Sequence, residues 1–302
     1  MLVTEARKTN YRASEGPRGQ TSAVFTRIIV SLYALWFILY PDLPARAAEK
    51  PLLILGFGDF NEAPYGIVRD GELLGGVQFE VGNALANQLG RRAVFRHLPR
   101  NRISQELISG GIDLYCLASP AFYPHFSAAS FTQALFTDTD LILFAADHVG
   151  PVGLNNLSGK RVGTVLGYLY PPSLESLFNS GVAKREDARN AEANIRKLAA
   201  GRIDALIIPE VAWAYALARE PWLARAIRPE RVALSTHSRA CLVSPAGNAS
   251  VAEVDGAITA LKQTHWLEGL IRRFSLGEGI PSTGRALAAT HAMGPPLIGP
   301  RR

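Results

Sequence analysis

Few side chains in this 302-residue chain are of a type and spacing that could do chemistry. Phe122 and Tyr123 stand in Ala118–Ser130, a loop rich in proline and aromatics, and a loop needs a reason to hold two large rings, such as a ligand face. Tyr168 and Tyr170 precede Pro171 and Pro172, where a helix N-terminus would turn unpaired N–H groups outward, or they serve in packing. Arg102 opens a helical segment and suits an anion, or it is a surface arginine bonded to carbonyls or carboxylates. Glu62 and Glu210 suit a cationic group, or they are solvated rim acids. His125 has no nucleophile paired with it, which speaks against covalent catalysis. The six histidines show no metal-ligand spacing, and two cysteines alone make no metal centre. No cofactor is called for. Gly56-Phe57-Gly58 lacks the third glycine of a dinucleotide loop, since position 61 is Asn. Gly153…Gly159-Lys160-Arg161 fails as a phosphate loop: its glycines are one residue too far apart, and Arg161 stands where Ser or Thr is needed.

The elements that must position these residues read as an α/β pattern. Leu52–Leu55 is a buried-strand signal, and Asp70-Gly71 turns between Tyr65–Val68 and Leu73–Val77. Val81, Leu85 and Leu89 recur at helical spacing up to Gly90, Ala93–Leu98 is a strand, and Ile103, Leu107 and Ile108 mark a helix stopped by Gly110-Gly111. Ile112–Leu117 is a third buried strand. After the aromatic loop, the polar turn Thr137–Asp140 leads into the apolar run Leu141–Ala145. Strand, loop and departing strand are how a chain leaves one lobe for another, with a binding loop in the crevice between them. The pattern restarts with a strand at Arg161–Val165, a helix carrying Leu174 and Leu177, a helix through Ile195 and Leu198, a strand at Ala205–Ile208 and a helix through Val211 and Tyr215. Ala240–Ser244 is a last strand, and the helices through Val251–Leu261 and Trp266–Phe274 follow it. In open sheets of this kind ligands bind at the carboxyl ends of strands. From Ser275 the Gly/Pro-rich tail loses periodicity and is expected to be disordered.

The composition, 48% hydrophobic and 19% charged, is that of a globular protein with room for two lobes. About half of the net +6 falls within residues 1–47, and no basic run carries interleaved aromatics, so nucleic-acid binding has little support. Residues 1–47 read as an export signal, with a basic region ending at Arg27, the apolar stretch Ile28–Tyr40 and the small-x-small site Ala45-Arg46-Ala47. Ile28–Tyr40 is short beside the roughly 20 residues of a spanning helix, but retention as a membrane anchor is the alternative. In an exported protein Cys116 and Cys241 could pair, or they are separate buried thiols.

Several segments, in order, resemble the bacterial periplasmic solute-binding proteins that serve amino-acid-type ABC importers. They are Ala63-Pro64-Tyr65, the run Asp70–Val77 with Glu80, Gly110 with Asp113 and Phe131–Phe136, Leu157–Gly163, Gly201–Ala205, and Trp266–Phe274. The resemblance implies a two-lobed α/β fold with open mixed sheets, helices on both faces and a two-strand hinge at Leu141–Ala145 and Ala240–Ser244. It implies one lobe from residues 48–143 and 241–275, the other from 144–240, and a tail at 276–302. It also implies that Cys241 lies near Cys116 on a neighbouring strand, and that a monomer carries a small-molecule ligand to an inner-membrane permease.

The sequence departs from that family at the ligand. The loop that holds the carboxylate-binding arginine reads Ser119-Pro120-Ala121-Phe122 here, without Arg; Pro209 stands where an ammonium-binding Asp is usual; Glu62 replaces a stacking aromatic. The expected ligand set is therefore Phe60, Glu62, Tyr65, Arg102, Ser119, Phe122, Tyr123, Gly167, Tyr168, Tyr170 and Glu210, and the expected ligand is small and polar but not a typical α-amino acid. The same fold hosts periplasmic dehydratases, so an enzyme using Glu62, Glu210 or His125 as acid and base is the rival reading, and a sensor accessory is a third.

Overall fold

The computed structural model describes residues 49–58 and 62–278. The chain divides into a unit of residues 1–49, of which only Glu49 is described, and a unit Lys50–Arg302 that holds everything below. The expected export signal, the Ile28–Tyr40 anchor, Phe60 and all but the first residues of the tail lie outside the described residues. Among the described residues no helix is long and apolar enough to cross a membrane.

The strands are β1 (Leu52–Phe57), β2 (Ile67–Arg69), β3 (Glu72–Gly75), β4 (Arg92–His97), β5 (Leu114–Ala118), β6 (Phe136–Phe144), β7 (Arg161–Val165), β8 (Lys184–Ala188), β9 (Ala205–Pro209) and β10 (Val232–Val243). The helices that position the site are α1 (Val77–Gln88), α2 (Ile103–Ile108), α3 (Pro172–Asn179), α4 (Ala191–Ala199), α5 (Glu210–Arg219), α6 (Leu223–Ala226), α7 (Val251–Gln263) and α8 (Trp266–Ser275). β2 and β3 form the hairpin that Asp70-Gly71 announced, with both turn residues at positive φ. All other strands join one mixed sheet in the order β4-β1-β5-β10-β6-β9-β7-β8.

Two open sheets, as expected, are thus fused through the long antiparallel pair β10·β6 at the middle of the order. On one side, β1 and β5 alternate their side chains between two cores. Leu53, Leu55, Leu114 and Cys116 pack with α1, α7 and α8, while Tyr115 faces Ile103 and Leu107 of α2. On the other side, Leu206 and Ile208 of β9 pack against α4 and α5, and Ala205 and Ile207 face Tyr170 and Leu174. Helices therefore cover both faces of both halves, as parallel strands require.

The crossover differs from the sequence reading. β10 begins at Val232 rather than Ala240, and β6 begins at Phe136, so the supposed polar turn Thr137–Asp140 is strand. The β6·β10 register pairs Asp138 with His237, Asp140 with Ser235 and Phe136 with Arg239. Opposed residues of an antiparallel pair share a face. One face of the crossover is therefore lined with charge, which hid its strand character. β8, the charged run Lys184–Ala188, was also not foreseen; at the sheet edge it has little apolar surface to bury. Cys116 and Cys241 are register partners on β5 and β10 and are joined in a disulfide.

Candidate functional site

The site is built on the charged face of the crossover. Asp138, Asp140, His237 and Arg239 are all buried, and the strand register sets them in a ladder whose rungs bond diagonally. Arg239 Nη2 donates to Asp138 Oδ2 at 3.5 Å and to the Tyr168 hydroxyl at 3.4 Å. The Tyr65 hydroxyl donates a short bond to the same Asp138 oxygen. Tyr168 donates to both Asp140 oxygens, at 3.2 and 3.1 Å, and His237 Nε2 and the Ser235 hydroxyl reach Asp140 Oδ2 at 3.1 and 3.3 Å. A buried charge is tolerated only when it is paired and hydrogen-bonded, and this network meets that need for Asp140 and for Asp138 Oδ2, while Asp138 Oδ1 has no partner among the described residues.

Aromatic rings close over the ladder. The Arg239 guanidinium lies 5.3 Å from the Phe122 ring centroid and 5.9 Å from that of Tyr65, within cation–π range. Phe122 also meets His237 at 4.9 Å and Tyr168 at 5.2 Å, and Tyr168 meets Tyr170 at 5.0 Å. The rings and the charged ladder line a cavity of ≈ 90 Å³. Its wall takes Tyr65, Arg100, Tyr115, Phe122 and Tyr123 from segments around β1–β5. Asp140 and Arg239 come from the crossover, and Tyr168, Tyr170, Ala191, Ile207 and Pro209 from segments around β7–β9.

Glu62 spans the cavity. Its carboxylate accepts the backbone N–H of Ala191 in a short bond at the first residue of α4, where Asn190 supplies the side-chain cap by accepting from Ala193 N–H at 2.9 Å. Burial outweighs the help of the Ala191 and Glu192 backbone N–H groups and pushes the Glu62 carboxyl up to about 7, with the Glu192 charge adding to the rise. Burial likewise raises Asp138 from its ordinary value against the pull of Arg239 and the Tyr65 hydroxyl. For Arg239, burial opposes the charge, but Tyr168, Tyr65 and Asp138 outweigh it and the guanidinium stays protonated. Tyr65 and Tyr168 are pushed well up by burial and by the neighbouring carboxylates, so their hydroxyls are donors.

Of the residues singled out in the sequence, Glu62, Tyr65, Phe122, Tyr123, Tyr168 and Tyr170 line the cavity together. Arg102 does not: its side chain is 54% exposed and pairs with Glu106 at 3.7 Å, while Arg100, two residues earlier in the same turn, faces the cavity. Glu210 is half exposed at the start of α5, 3.8 Å from Arg231, because the strand ends one residue before it and Pro209 takes the wall position. Ser119 is buried outside the wall, and Gly167 lies beside it at positive φ, near Arg100. His125 is exposed and bonds to Ser104 Oγ at 3.0 Å, so it and Glu210 cannot join Glu62 as an acid–base pair in the cavity. Sequence reasoning missed Asp140, Arg239, Asp138 and His237. Their alternation with Thr139, Thr236 and Ser238 was the available signal, a period-two polar pattern facing a closed interior. Among the described residues no group of His, Cys, Asp and Glu converges as a metal site.

No family model matches the chain. In sequence it is similar to the arginine-binding extracellular protein ArtP of Bacillus subtilis (strain 168), with 23% identity over 167 residues, covering 55% of this chain and 64% of that protein. The match thus spans less than two thirds of that relative's length. In structure it is similar to an ancestral arginine-binding protein bound to arginine, at a TM-score of 0.59 and 18% identity over 74% of this chain and 98% of that one. It is similar to the B. pertussis BvgS periplasmic domain at a TM-score of 0.61 and 19% identity, covering 75% of this chain and 43% of that one. It is also similar to the substrate binding protein of an amino acid ABC transporter, at a TM-score of 0.53 and 16% identity over 74% of this chain and 98% of that one. The fold is therefore the two-lobed periplasmic-binding-protein fold, shared with amino-acid-binding and ABC-transporter substrate-binding proteins.

Proposed function

We propose that this protein is a periplasmic receptor that captures a small polar ligand, not a typical α-amino acid, between two lobes and presents it to an inner-membrane ABC permease. One lobe is formed by residues 48–143 and 241–275 and the other by 144–240, with the leader 1–47 directing export and a monomer as the working form. The observation that carries this reading is the cavity whose wall draws Tyr65 and Phe122 from one side of the crossover and Tyr168, Tyr170 and Ala191 from the other. Side chains from both sides meeting one small space is what a hinge-closing receptor requires. β6 and β10 are the hinge elements in this reading, and Glu62 reaching Ala191 is a contact across the crevice that stands only when it is shut.

A binding protein fits the site better than a dehydratase-like enzyme, because Asp140 is held by Tyr168, Ser235 and His237, and Glu210 and His125 lie outside the wall, which leaves Glu62 without an acid–base partner. A sensor role is the second reading, favoured by the fold likeness to a periplasmic domain of BvgS. Native mass spectrometry of the exported protein tests both. A chain beginning near Ala48 with an unchanged, stoichiometric small molecule supports the receptor. A chain retaining Ile28–Tyr40 supports the anchored sensor. Chemical conversion of the retained molecule would refute both in favour of an enzyme.

A further inference from the structure

Among the described wall residues, Arg239 carries a buried side-chain donor without a partner. Its side chain is 8% exposed. Both of its described hydrogen bonds leave from Nη2, at 3.4 and 3.5 Å, beyond the usual 2.7–2.9 Å of a charge-assisted bond. Its Nε is buried and bonds to nothing among the described residues. A guanidinium carries five N–H donors in a planar fork, and a buried donor without an acceptor is costly. A second donor sits in the same wall. The Tyr170 hydroxyl accepts from the Val165 N–H at 2.8 Å, which leaves its own proton to donate.

The acceptors in the wall are in the opposite condition. Both Asp140 oxygens are taken by Tyr168, and Oδ2 also by Ser235 and His237. Glu62 is engaged by the backbone at the start of α4. The wall therefore offers donors to a ligand, and the carboxylate oxygen of the ladder that has no partner among the described residues, Asp138 Oδ1, lies outside the wall. The ≈ 90 Å³ of space is also smaller than the about 150 Å³ of a dry cavity that takes benzene, so the ligand is of few atoms.

Resting on the receptor reading above, we infer that the ligand is a short-chain carboxylate without an ammonium group, such as a 2-oxo or 2-hydroxy acid of about three carbons, and that Arg239 on the crossover strand binds its carboxylate. The position usual for such an arginine, in the loop Ser119-Pro120-Ala121-Phe122, is filled by an aromatic that instead stacks on Arg239. Phe122 packs over the guanidinium there, and Nε is the donor left to meet a carboxylate oxygen of the ligand.

The test is calorimetry on the exported full chain, stripped of any retained molecule, with pyruvate, L-lactate, L-alanine, L-glutamine and L-arginine as probes. Pyruvate or lactate is expected to bind, and alanine, of the same carbon count, to bind about 100-fold more weakly, because its ammonium finds no acceptor. Alanine, glutamine or arginine binding as tightly as the oxo or hydroxy acid would overturn the inference and leave the receptor standing. Arg239→Lys keeps the charge beside Asp138 but loses the fork, and is expected to weaken the acid at least tenfold with an unchanged circular dichroism spectrum. An unaltered affinity would remove Arg239 from the role, and the wild-type lactate–alanine comparison holds whether or not that variant folds. If none of the probes binds while a metabolite extract leaves a retained molecule, the ligand class falls alone. If the extract leaves nothing, the receptor reading falls with it.

Discussion

Replacing Glu62 by glutamine removes a titrating group from the cavity while keeping an oxygen for the Ala191 N–H. The wild-type carboxyl holds its proton up to about pH 7 in the folded protein, against 4.5 as its ordinary value, with burial as the main cause. Between those limits the folded state binds more protons than the unfolded one. The linkage relation then makes stability fall as pH rises through this window. Below about pH 4.5 Glu62 contributes no pH dependence; above about pH 7 the full penalty is present. At about 1.4 kcal/mol per pH unit, the difference between 4.5 and about 7 amounts to about 3 kcal/mol. Urea unfolding of wild type and Glu62→Gln at pH 4.5 and pH 8 measures it. The stability of the wild type relative to the variant should decline by about 3 kcal/mol from the lower pH to the higher. Asp138, also raised by burial, titrates in both proteins and cancels in the comparison. A difference that is flat with pH, or that grows in favour of the wild type at pH 8, would refute the assignment of a buried, proton-holding Glu62.

Other perturbations follow from the same geometry. Asp138→Ala strips Arg239 and Tyr65 of their shared acceptor and should cost about 3–5 kcal/mol in denaturant unfolding, as breaking a buried ion pair does. Reducing Cys116–Cys241, which closes a sequence separation of 125 residues, should lower stability by up to about 5 kcal/mol on the chain-entropy estimate, read as a drop in Tm between oxidised and reduced samples. Gly76→Ala places a Cβ 2.8 Å from the Tyr65 carbonyl oxygen at φ 96°, and should destabilise by about 1–3 kcal/mol while weakening ligand retention, since Tyr65 must move.

Much of the frame was legible because its signals are local. Asp70-Gly71 specified a hairpin, Arg161–Val165 a strand, and Gly90 and Gly110 the ends of helices, each through backbone chemistry that needs no partner. The aromatic part of the site was legible too, because Phe122, Tyr123, Tyr168 and Tyr170 stand in segments where no regular core accounts for them. The charged half was not. Asp138 and Asp140 lie in a run that reads as a polar turn, His237 and Arg239 lie in a Ser/Thr run before the strand read at Ala240, and only the antiparallel register, which brings residues about a hundred positions apart into one row, gives them a common face. The misplacement of the site arginine at 102 rather than 100 has the same origin. In a single helical turn two residues point to different sides, and only the packing of the neighbouring loops selects which one meets the cavity.

The outer strands of the sheet have a bearing on how the protein meets others. β8, at one end, is Lys-Arg-Glu-Asp-Ala, and β4, at the other, is Arg-Ala-Val-Phe-Arg-His. An uncovered edge is a template for strand addition, and charged side chains along it are the ordinary defence against aggregation and domain swapping. With both margins guarded in this way, the sheet is closed to extension by another chain. On the receptor reading, recognition of a protein partner then falls to the helices and loops around the rim of the crevice, the parts that would move when a ligand shuts it.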